Sequence, residues 1–402
     1  MAVTNSSKPE HYAEIFKAFL ILGCTSFGGP IAHLGYFRHE FVERRRWLSE
    51  AAYADLVALC QFLPGPASSQ VGMALGIHRA GLPGAVIAWF AFTAPSAILM
   101  VVFAFWAGHI GDLREAAWLH GLKLTAVVIV AQAVWSMGKS FCVGLPRLSI
   151  GFAAAVICLS LSTAWTQILA IALGALAGLF LPVRNEQEST LSGSFAAYGR
   201  AWAIAALAAF GTLLAGLPIL AANLDSHSIA LFDSFYRSGS LVFGGGHVVL
   251  PLLQQEVVSP GWLSDDSFLA GYGAAQAMPG PLFTFAAYLG ATMSMSPSGV
   301  VGALLCTVAI FFPSFLLVVG ALPFWHHMSD QPRMRAALQG INAAVVGILL
   351  AALYDPVITG SVYNAGDVLI SISALALLLA FKLPSWIIVL LCTAAAVGAS
   401  YR

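Results

Sequence analysis

Charge is scarce in this sequence. Only 9% of its 402 residues are Asp, Glu, Lys or Arg, whereas soluble domains carry about 25%. The 18 basic and 18 acidic residues give a net charge of zero, which excludes a basic nucleic-acid-binding protein and an acidic tail protein. The six cysteines form no CxxC pair, and HExxH, GxSxG, GxGxxG and P-loop motifs are missing. We therefore expect no metal site, no cofactor, no nucleic-acid partner and no enzymatic activity.

Apolar residues are abundant instead. They make up 59% of the chain, and its mean hydropathy is +0.85. Residues 148–183, 201–224 and 267–329 contain no Asp, Glu, Lys or Arg, and a helix needs roughly 20 apolar residues to cross a bilayer. Polar and apolar residues do not alternate along these stretches, as they would in β-barrel strands. The sequence predicts an all-α polytopic membrane protein with about 10–13 membrane segments.

Two motifs recur in the same order along the chain. A Gly-Gly motif at 26–30 (SFGGP) returns 216 residues later at 242–246 (VFGGG). A Pro-Gly-Pro motif at 61–66 (QFLPGP) returns 215 residues later at 276–281 (QAMPGP). Duplications of this kind are typical of secondary transporters, whose halves often lie inverted in the membrane.

The order of the matched blocks predicts two homologous halves. A Pro-Ser pair at 95–96 is also matched, at 313–314. We expect a first half at 1–183, a linker with an extra apolar helix at 184–225, and a second half at 226–402.

The loops after the two Gly-Gly motifs differ in charge. The first contains Arg38 and the run Arg44–Arg46, whereas its counterpart at 254–266 has Glu256 and two aspartates but no Lys or Arg. Basic loops lie on the cytoplasmic side. Matched loops of opposite charge therefore predict that the halves are inverted repeats.

Each Pro-Gly-Pro motif predicts a broken helix in mid-membrane. Proline lacks a backbone donor, and freed backbone groups are tolerated only within protein or against a water-filled cavity. Pro66 and Pro281 suit the first position of a new half-helix. The N–H groups after them, with the matched hydroxyls of Ser69 and Thr284, would form anion sites. The alternative is a simple kink.

Ionisable residues within the apolar stretches are the strongest candidates for function, because they are costly there. A cation such as Arg237 or Lys123 facing a cavity would select anions. The alternatives are an ion pair of Arg237 with Asp233 four residues earlier, and snorkelling of Lys123 from a helix end. Glu40 and Glu256 are the one repeated carboxylate pair; they would carry protons, or Glu40 would pair with nearby arginines.

Polar amides and glycines complete the candidates. Gln61 and Gln276 lie at matched positions in apolar surroundings, where they would bind substrate or hydrogen-bond another helix. The paired glycines would allow either backbone contact with substrate or tight helix packing.

The quoted motifs resemble a known family. SFGGPIAHLGYFRHEFVERRRWLSEAAYADLVALCQFLPGPASSQVGMALG is similar to the first-half signature of the chromate ion transporter (CHR) family, and FGGGHVVLPLLQQEVV followed by QAMPGP is similar to its second-half signature. The resemblance covers nearly the whole chain. One departure is Ile21, where the family commonly has a basic residue; the second half has Arg237 at the equivalent position.

The resemblance implies a multi-pass carrier of the inner (plasma) membrane that exports chromate, draws on the proton-motive force and confers chromate resistance. Alternatives are a carrier of sulfate or another oxyanion, and a passive anion channel. Protons are the candidate coupling ion, and a homodimer is left open. By position, the resemblance implies that the residues important for function are Gly28, Gly29, Pro30, Arg38, Glu40, Arg45, Trp47, Gln61, Pro64, Gly65, Pro66, Gln70 and Lys123.

Together the two arguments give one set of candidate substrate-binding and transport residues. They are Gly28, Gly29, Arg38, Glu40, Arg45, Gln61, Pro64, Gly65, Pro66, Ser69, Gln70, Lys123, Arg237, Gly244, Gly245, Glu256, Gln276, Pro279, Gly280, Pro281 and Thr284.

Overall fold

The computed structural model describes residues 8–108, 117–161, 165–181, 199–325 and 331–400. Within these ranges the regular structure is entirely helical, which confirms the all-α part of the predicted fold class. The first part of the predicted linker, residues 184–198, lies outside the described residues. In chain order the α-helices are α1 (Lys8–Thr25), α2 (Gly29–Phe37), α3 (Glu50–Phe62), α4 (Ala67–Gly108), α5 (Ala117–Phe141), α6 (Leu145–Ser160), α7 (Thr166–Gly178), α8 (Arg200–Asn223), α9 (His227–Leu241), α10 (Val249–Val257), α11 (Asp265–Ala275), α12 (Phe285–Thr292), α13 (Gly299–Ala321), α14 (Pro332–Ala352), α15 (Ala365–Phe381) and α16 (Ser385–Ser400).

Five helical stretches in the described part of the chain are long and apolar enough to cross a membrane. Their length and composition agree with a multi-pass membrane protein. The total number of membrane segments, 10–13, stays a prediction. The five stretches are Ala67–Gly108, Ala117–Phe141, Arg200–Asn223, Gly299–Phe324 and Pro332–Ile358.

The helix α4 is two segments joined by a sharp turn. Ala80 and Gly81 have non-helical dihedrals, with φ of +69° at Gly81. Gly76 and Gly84 meet across the turn, and a Cβ on either would overlap the carbonyl oxygen of the other. The chain therefore reverses, and residues 67–79 pack against the start of residues 82–108.

Helices end before each Pro-Gly-Pro motif and begin again after it. In the first half α3 ends at Phe62 and α4 begins at Ala67. In the second half α11 ends at Ala275, and a 3₁₀ turn at Leu282–Thr284 leads into α12. The central glycines, Gly65 and Gly280, have φ of +119° and +90°, which residues with a Cβ rarely adopt.

Contacts between the predicted halves are reciprocal. The helix α5 packs against α15 and α16, and α14 packs against α6 and α7. Glycines allow the close approach: a Cβ on Gly121 would overlap Thr393, and one on Gly174 would overlap Ala344 and Gly340. The main buried core includes Phe19 and Phe283, one from each half.

Candidate functional site

The repeated loops of the two halves meet each other through backbone hydrogen bonds. Gly65 N donates to Val242 O at 2.7 Å, and Gly280 N donates to Ser26 O at 2.8 Å. Ser26 and Val242 occupy matched positions, as do Gly65 and Gly280. Each Pro-Gly-Pro loop thus donates a backbone hydrogen bond to the Gly-Gly loop of the other half. We call this arrangement of four loops the loop crossing.

Close packing at the loop crossing requires glycine. A Cβ on Gly65 would lie 2.6 Å from Ser314 Oγ, and one on Gly280 would lie 2.8 Å from Ser96 Oγ. These two serines belong to the matched Pro-Ser pairs. All three repeated motifs therefore come together at one place, and both central glycines have a positive φ and a neighbour too close for a side chain.

Polar side chains at the loop crossing differ between the halves. Thr284 Oγ1 donates to Pro281 O at 2.8 Å, within its own loop. Its counterpart Ser69 is buried, and the hydroxyl has no partner among the described residues. Gln70 Nε2 donates to Pro64 O at 2.7 Å, which braces the first loop.

The repeated glutamines also differ. Gln276 is buried, and its backbone carbonyl oxygen accepts a hydrogen bond from Ser385 Oγ at 3.0 Å. Gln61 is exposed on α3. Matched positions in the sequence therefore do not have matched surroundings.

The predicted arginines lie in an ion-pair network of the first half. Arg38 pairs with Glu43 at 2.7 Å and with Glu50 at 2.6 Å. Glu40 accepts from Arg45 Nε at 2.5 Å and from Arg44 Nη1 at 2.9 Å. The structure thus pairs Glu40 with nearby arginines, which is one of the two roles that the sequence suggested for it.

The ion pairs with Arg44 and Arg45 stabilise the ionised form of Glu40. Burial acts against the carboxylate, but the hydrogen bonds from Arg45 and Arg44 outweigh it and lower the pKa of Glu40 below its usual value. The network therefore favours an ionised Glu40, and its contribution to stability is lost as the pH falls through that lowered pKa.

Glu14 on α1 completes the network and was missed by the sequence reasoning. Its carboxylate accepts from Arg45 at 3.1 Å, from Arg79 at 2.9 Å and from Trp47 Nε1 at 3.3 Å. The two guanidinium groups lie 5.8 Å and 5.4 Å from the centre of the Trp47 ring. Glu14 joins residues 31 to 65 positions later in the chain, so no local pattern could have identified it.

Arg237 on α9 is shared by two carboxylates. Its Nη2 lies 2.8 Å from Asp233 Oδ2 and 2.8 Å from Glu256 Oε2. The three side chains are 14%, 6% and 16% exposed, in the order Arg237, Asp233, Glu256. Asp233 Oδ1 and Arg237 Nε have no partner among the described residues. With both carboxylates ionised, this triad has one excess negative charge in poorly hydrated surroundings.

Lys123 belongs to a separate cluster between the halves. Its Nζ lies 2.7 Å from Asp266 Oδ1 and donates to Tyr363 Oη at 2.6 Å. On the same helix His120 Nε2 lies 2.7 Å from Asp367 Oδ1. These side chains line a cavity of about 630 Å³. Both ion pairs join α5 of the first half to the second half, and the sequence identified only Lys123.

A helical chain with membrane-spanning stretches, broken helices and buried ion pairs is a multi-pass membrane protein. The chain belongs to the chromate transporter family, whose model matches residues 13–179 and 229–399. This finding confirms the resemblance stated above and indicates a transporter rather than an enzyme.

Curated relatives match most of the chain. The chromate transport protein of Pseudomonas aeruginosa is 29% identical over 353 residues, which cover 86% of this chain and 81% of that protein. The chromate transport protein of Cupriavidus metallidurans is 28% identical over 379 residues, covering 92% of this chain and 88% of that protein. No solved structure matches the chain.

Replacing Glu14 with Gln tests the first-half network. The substitution leaves Arg45 and Arg79 without their shared carboxylate, and we expect the free energy of unfolding to fall by about 2 kcal/mol. The measurement is the midpoint of thermal unfolding of the purified protein in detergent. Glu43→Gln is the matched control, because Glu43 is 45% exposed and its midpoint should stay close to wild type. Equal midpoints for the two variants would contradict the central role of Glu14.

Proposed function

We propose that the protein is a secondary transporter that exports chromate, a tetrahedral oxyanion, from the cytoplasm across the inner membrane at the expense of the proton-motive force. Family membership and the names of the curated relatives support the substrate class. The observation that carries the mechanism is the sharing of Arg237 by Asp233 and Glu256. Intramembrane charges of this kind mark ion pathways and proton relays.

The triad links proton binding to oxyanion binding. While both carboxylates are ionised they occupy Arg237 and repel an anion. A proton on Glu256 removes the excess negative charge and releases one of the two contacts of Arg237, which then offers a guanidinium N–H group to an oxyanion. Glu256 is accordingly the proton-binding residue and Arg237 the substrate-binding cation. The proton on Glu256 leaves together with the oxyanion, so one divalent chromate carries out one net negative charge. Moving that charge out of an interior at −100 mV gains about 2.3 kcal/mol, so the membrane potential is the component of the proton-motive force that drives export.

The first half is proposed to enter the membrane as two hairpins that return to the cytoplasmic side. Glu50, at the start of α3, pairs with Arg38 at 2.6 Å. Arg79, at the end of residues 67–79, pairs with Glu14 at 2.9 Å. Both ends of the Pro-Gly-Pro segment are thus tied to the basic stretch at 38–45, one end through Arg38 and the other through Glu14 and Arg45. The hairpin formed by α1 and α2 contains the first Gly-Gly motif. The ion pair of Glu14 with Arg45 at 3.1 Å joins its two ends.

The second half repeats these hairpins from the opposite side. Trp262, just before α11, accepts at its carbonyl oxygen from Ser294 N at 3.3 Å and Ser294 Oγ at 3.0 Å, just after α12. The ring of His227, at the start of α9, lies 4.8 Å from the ring of Trp262. No Lys or Arg lies in the loop at 254–266, in agreement with the external side.

This arrangement makes the halves inverted repeats. Each half would contain two hairpins and four spanning helices, and α8 would be the additional span that inverts the second half. The result is thirteen membrane segments, which is the upper end of the predicted range. The spanning elements would be residues 82–108, α5, α6, α7, α8, α13, α14, α15 and α16, and the hairpins α1–α2, α3 with residues 67–79, α9–α10 and α11–α12.

Chromate uptake by everted membrane vesicles tests the function. We expect uptake that needs energisation, collapses when a protonophore is added and is reduced by sulfate as a competitor of the same shape. Vesicles without the protein give the background. Uptake that is unchanged by the protonophore would favour a passive channel. If the vesicles take up sulfate but no chromate, the substrate is a different oxyanion from the one proposed.

Glu256→Gln tests the coupling residue, since an amide cannot carry the proton. With the membrane potential of everted vesicles clamped at zero, a pH gradient that is acid outside should drive accumulation in the wild type and not in the variant, because the proton enters the vesicle with the oxyanion. Exchange of labelled for unlabelled substrate, which needs no net proton movement, should persist in the variant. Glu43→Gln is the control and should behave as wild type. Accumulation by Glu256→Gln equal to that of the wild type would remove Glu256 from the coupling.

Labelling of single cysteines tests the inverted arrangement. The six native cysteines are replaced, and one cysteine is introduced at Ala51, Ser259, Ala365 or Lys382, which are all exposed. In right-side-out vesicles a membrane-impermeant maleimide should label positions 259 and 365. In everted vesicles it should label positions 51 and 382. Labelling of positions 51 and 259 from the same side would overturn the proposed inversion.

A further inference from the structure

Two buried hydroxyls at the loop crossing have no hydrogen-bond partner. Ser26 is 0% exposed and Ser69 is 2% exposed, and neither Oγ has a partner among the described residues. A buried polar group left unpaired is destabilising, and native proteins rarely retain one without a reason such as a bound ligand. Both serines belong to the first half, one in its Gly-Gly loop and the other in the first turn of α4.

His33 fixes the Gly-Gly loop against the start of α4. Its Nε2 lies 3.2 Å from Ser26 O, and because a carbonyl oxygen only accepts, Nε2 carries the proton. Its Nδ1 then accepts from Ser68 Oγ at 3.3 Å. His33 itself is 1% exposed. The imidazole therefore spans from the backbone of Ser26 to the first turn of α4, where Ser69 lies.

The start of α4 offers further donors at the same place. The first backbone hydrogen bond of this helix runs from Gln70 N to Pro66 O at 3.0 Å. The N–H groups of Ala67, Ser68 and Ser69 precede it and have no partner within the helix. The aligned peptide dipoles give this end of the helix a partial positive charge. Hydroxyls and N–H groups at a buried helix start are the donors that bind phosphate and sulfate in proteins.

The second half has no equivalent. The residues matched with Ser26, His33, Ser68 and Gln70 are apolar and buried, and they are Val242, Val249, Phe283 and Phe285. The hydroxyl matched with Ser69 belongs to Thr284 and already donates to Pro281 O. The two sides of the loop crossing therefore share a backbone arrangement, but only the first side has the groups that a polar ligand needs.

We propose that the transporter has one tetrahedral-oxyanion site at the loop crossing, on the first-half side only. The hydroxyls of Ser26 and Ser69 and the N–H groups of the first turn of α4 bind the oxyanion, and the second-half loop is structural. This site rests on the proposed function and adds a place where its substrate binds, besides the contact with Arg237. Gln70 Oε1, which is also buried and unpartnered, can only accept, so it faces a proton of the ligand or of a water and not an oxyanion oxygen.

Ser69→Ala tests the site in two assays. In everted vesicles we expect the KM for chromate to rise about tenfold, the effect of losing one hydrogen bond to an anion. In purified protein, sulfate and chromate added separately should each raise the wild-type midpoint of thermal unfolding and raise that of Ser69→Ala much less. Ser69→Thr keeps the hydroxyl and should restore both results. Ser240→Ala is the control, because Ser240 belongs to the second half and its buried hydroxyl already donates to Tyr236 O at 2.7 Å.

The outcomes separate this site from the proposed function. If the wild type neither transports nor binds either oxyanion, the function itself fails. If the wild type transports chromate and Ser69→Ala has an unchanged KM, the function stands and the site is wrong. Thr284→Val decides between one site and two: the single site predicts a change of less than about twofold, and a loss equal to that of Ser69→Ala would overturn it. A ligand-free midpoint of Ser69→Ala close to wild type shows that the variant is folded.

Discussion

Backbone hydrogen bonding in a medium without water is the constraint on which this structure depends. Broken helices leave N–H and C=O groups that lipid cannot satisfy. The chain satisfies them between its halves, by the hydrogen bonds from Gly65 N to Val242 O and from Gly280 N to Ser26 O. Neither loop has this partner within its own half. These two hydrogen bonds require the halves to dock closely. They also account for the positive φ of the two glycines and for their close approach to Ser314 and Ser96.

The charged residues divide into groups with different tasks. In the described part of the chain, the first-half network around Glu14 and Glu40 joins elements of that half alone. The pairs formed by His120 and Lys123 join α5 to the second half. A rocking of one half against the other would leave the first group intact and strain the second. Alternating access by such a rocking would therefore use a rigid basic network within the first half and ion pairs that can open between the halves.

The sequence predicted features that depend on composition and on neighbouring residues. Apolar runs predicted the helices, and the spacing of four residues gave the pair of Arg237 with Asp233 as the alternative to a cation that faces a cavity. The basic run after the first Gly-Gly loop likewise predicted the pairing of Glu40 with arginine. The third member of the triad, Glu256, lies 19 residues from Arg237, and its contact depends on how α9 and α10 fold back. The hydrogen bonds of His33 to Ser26 and Ser68 could not be predicted either, because no sequence pattern distinguishes a lone histidine near an apolar stretch.

The internal duplication explains why the two halves can share a backbone and still differ in chemistry. Reciprocal contacts need only glycine, proline and small residues at matched positions, so those motifs are the ones that recur. Side chains that bind a substrate are under no such requirement. One polar loop and one apolar loop, Ser26 against Val242 and Ser68 against Phe283, keep the same backbone hydrogen bonds. In the proposed mechanism this division is an advantage, because two equivalent oxyanion sites at one crossing would place two anions close together, where their repulsion opposes binding.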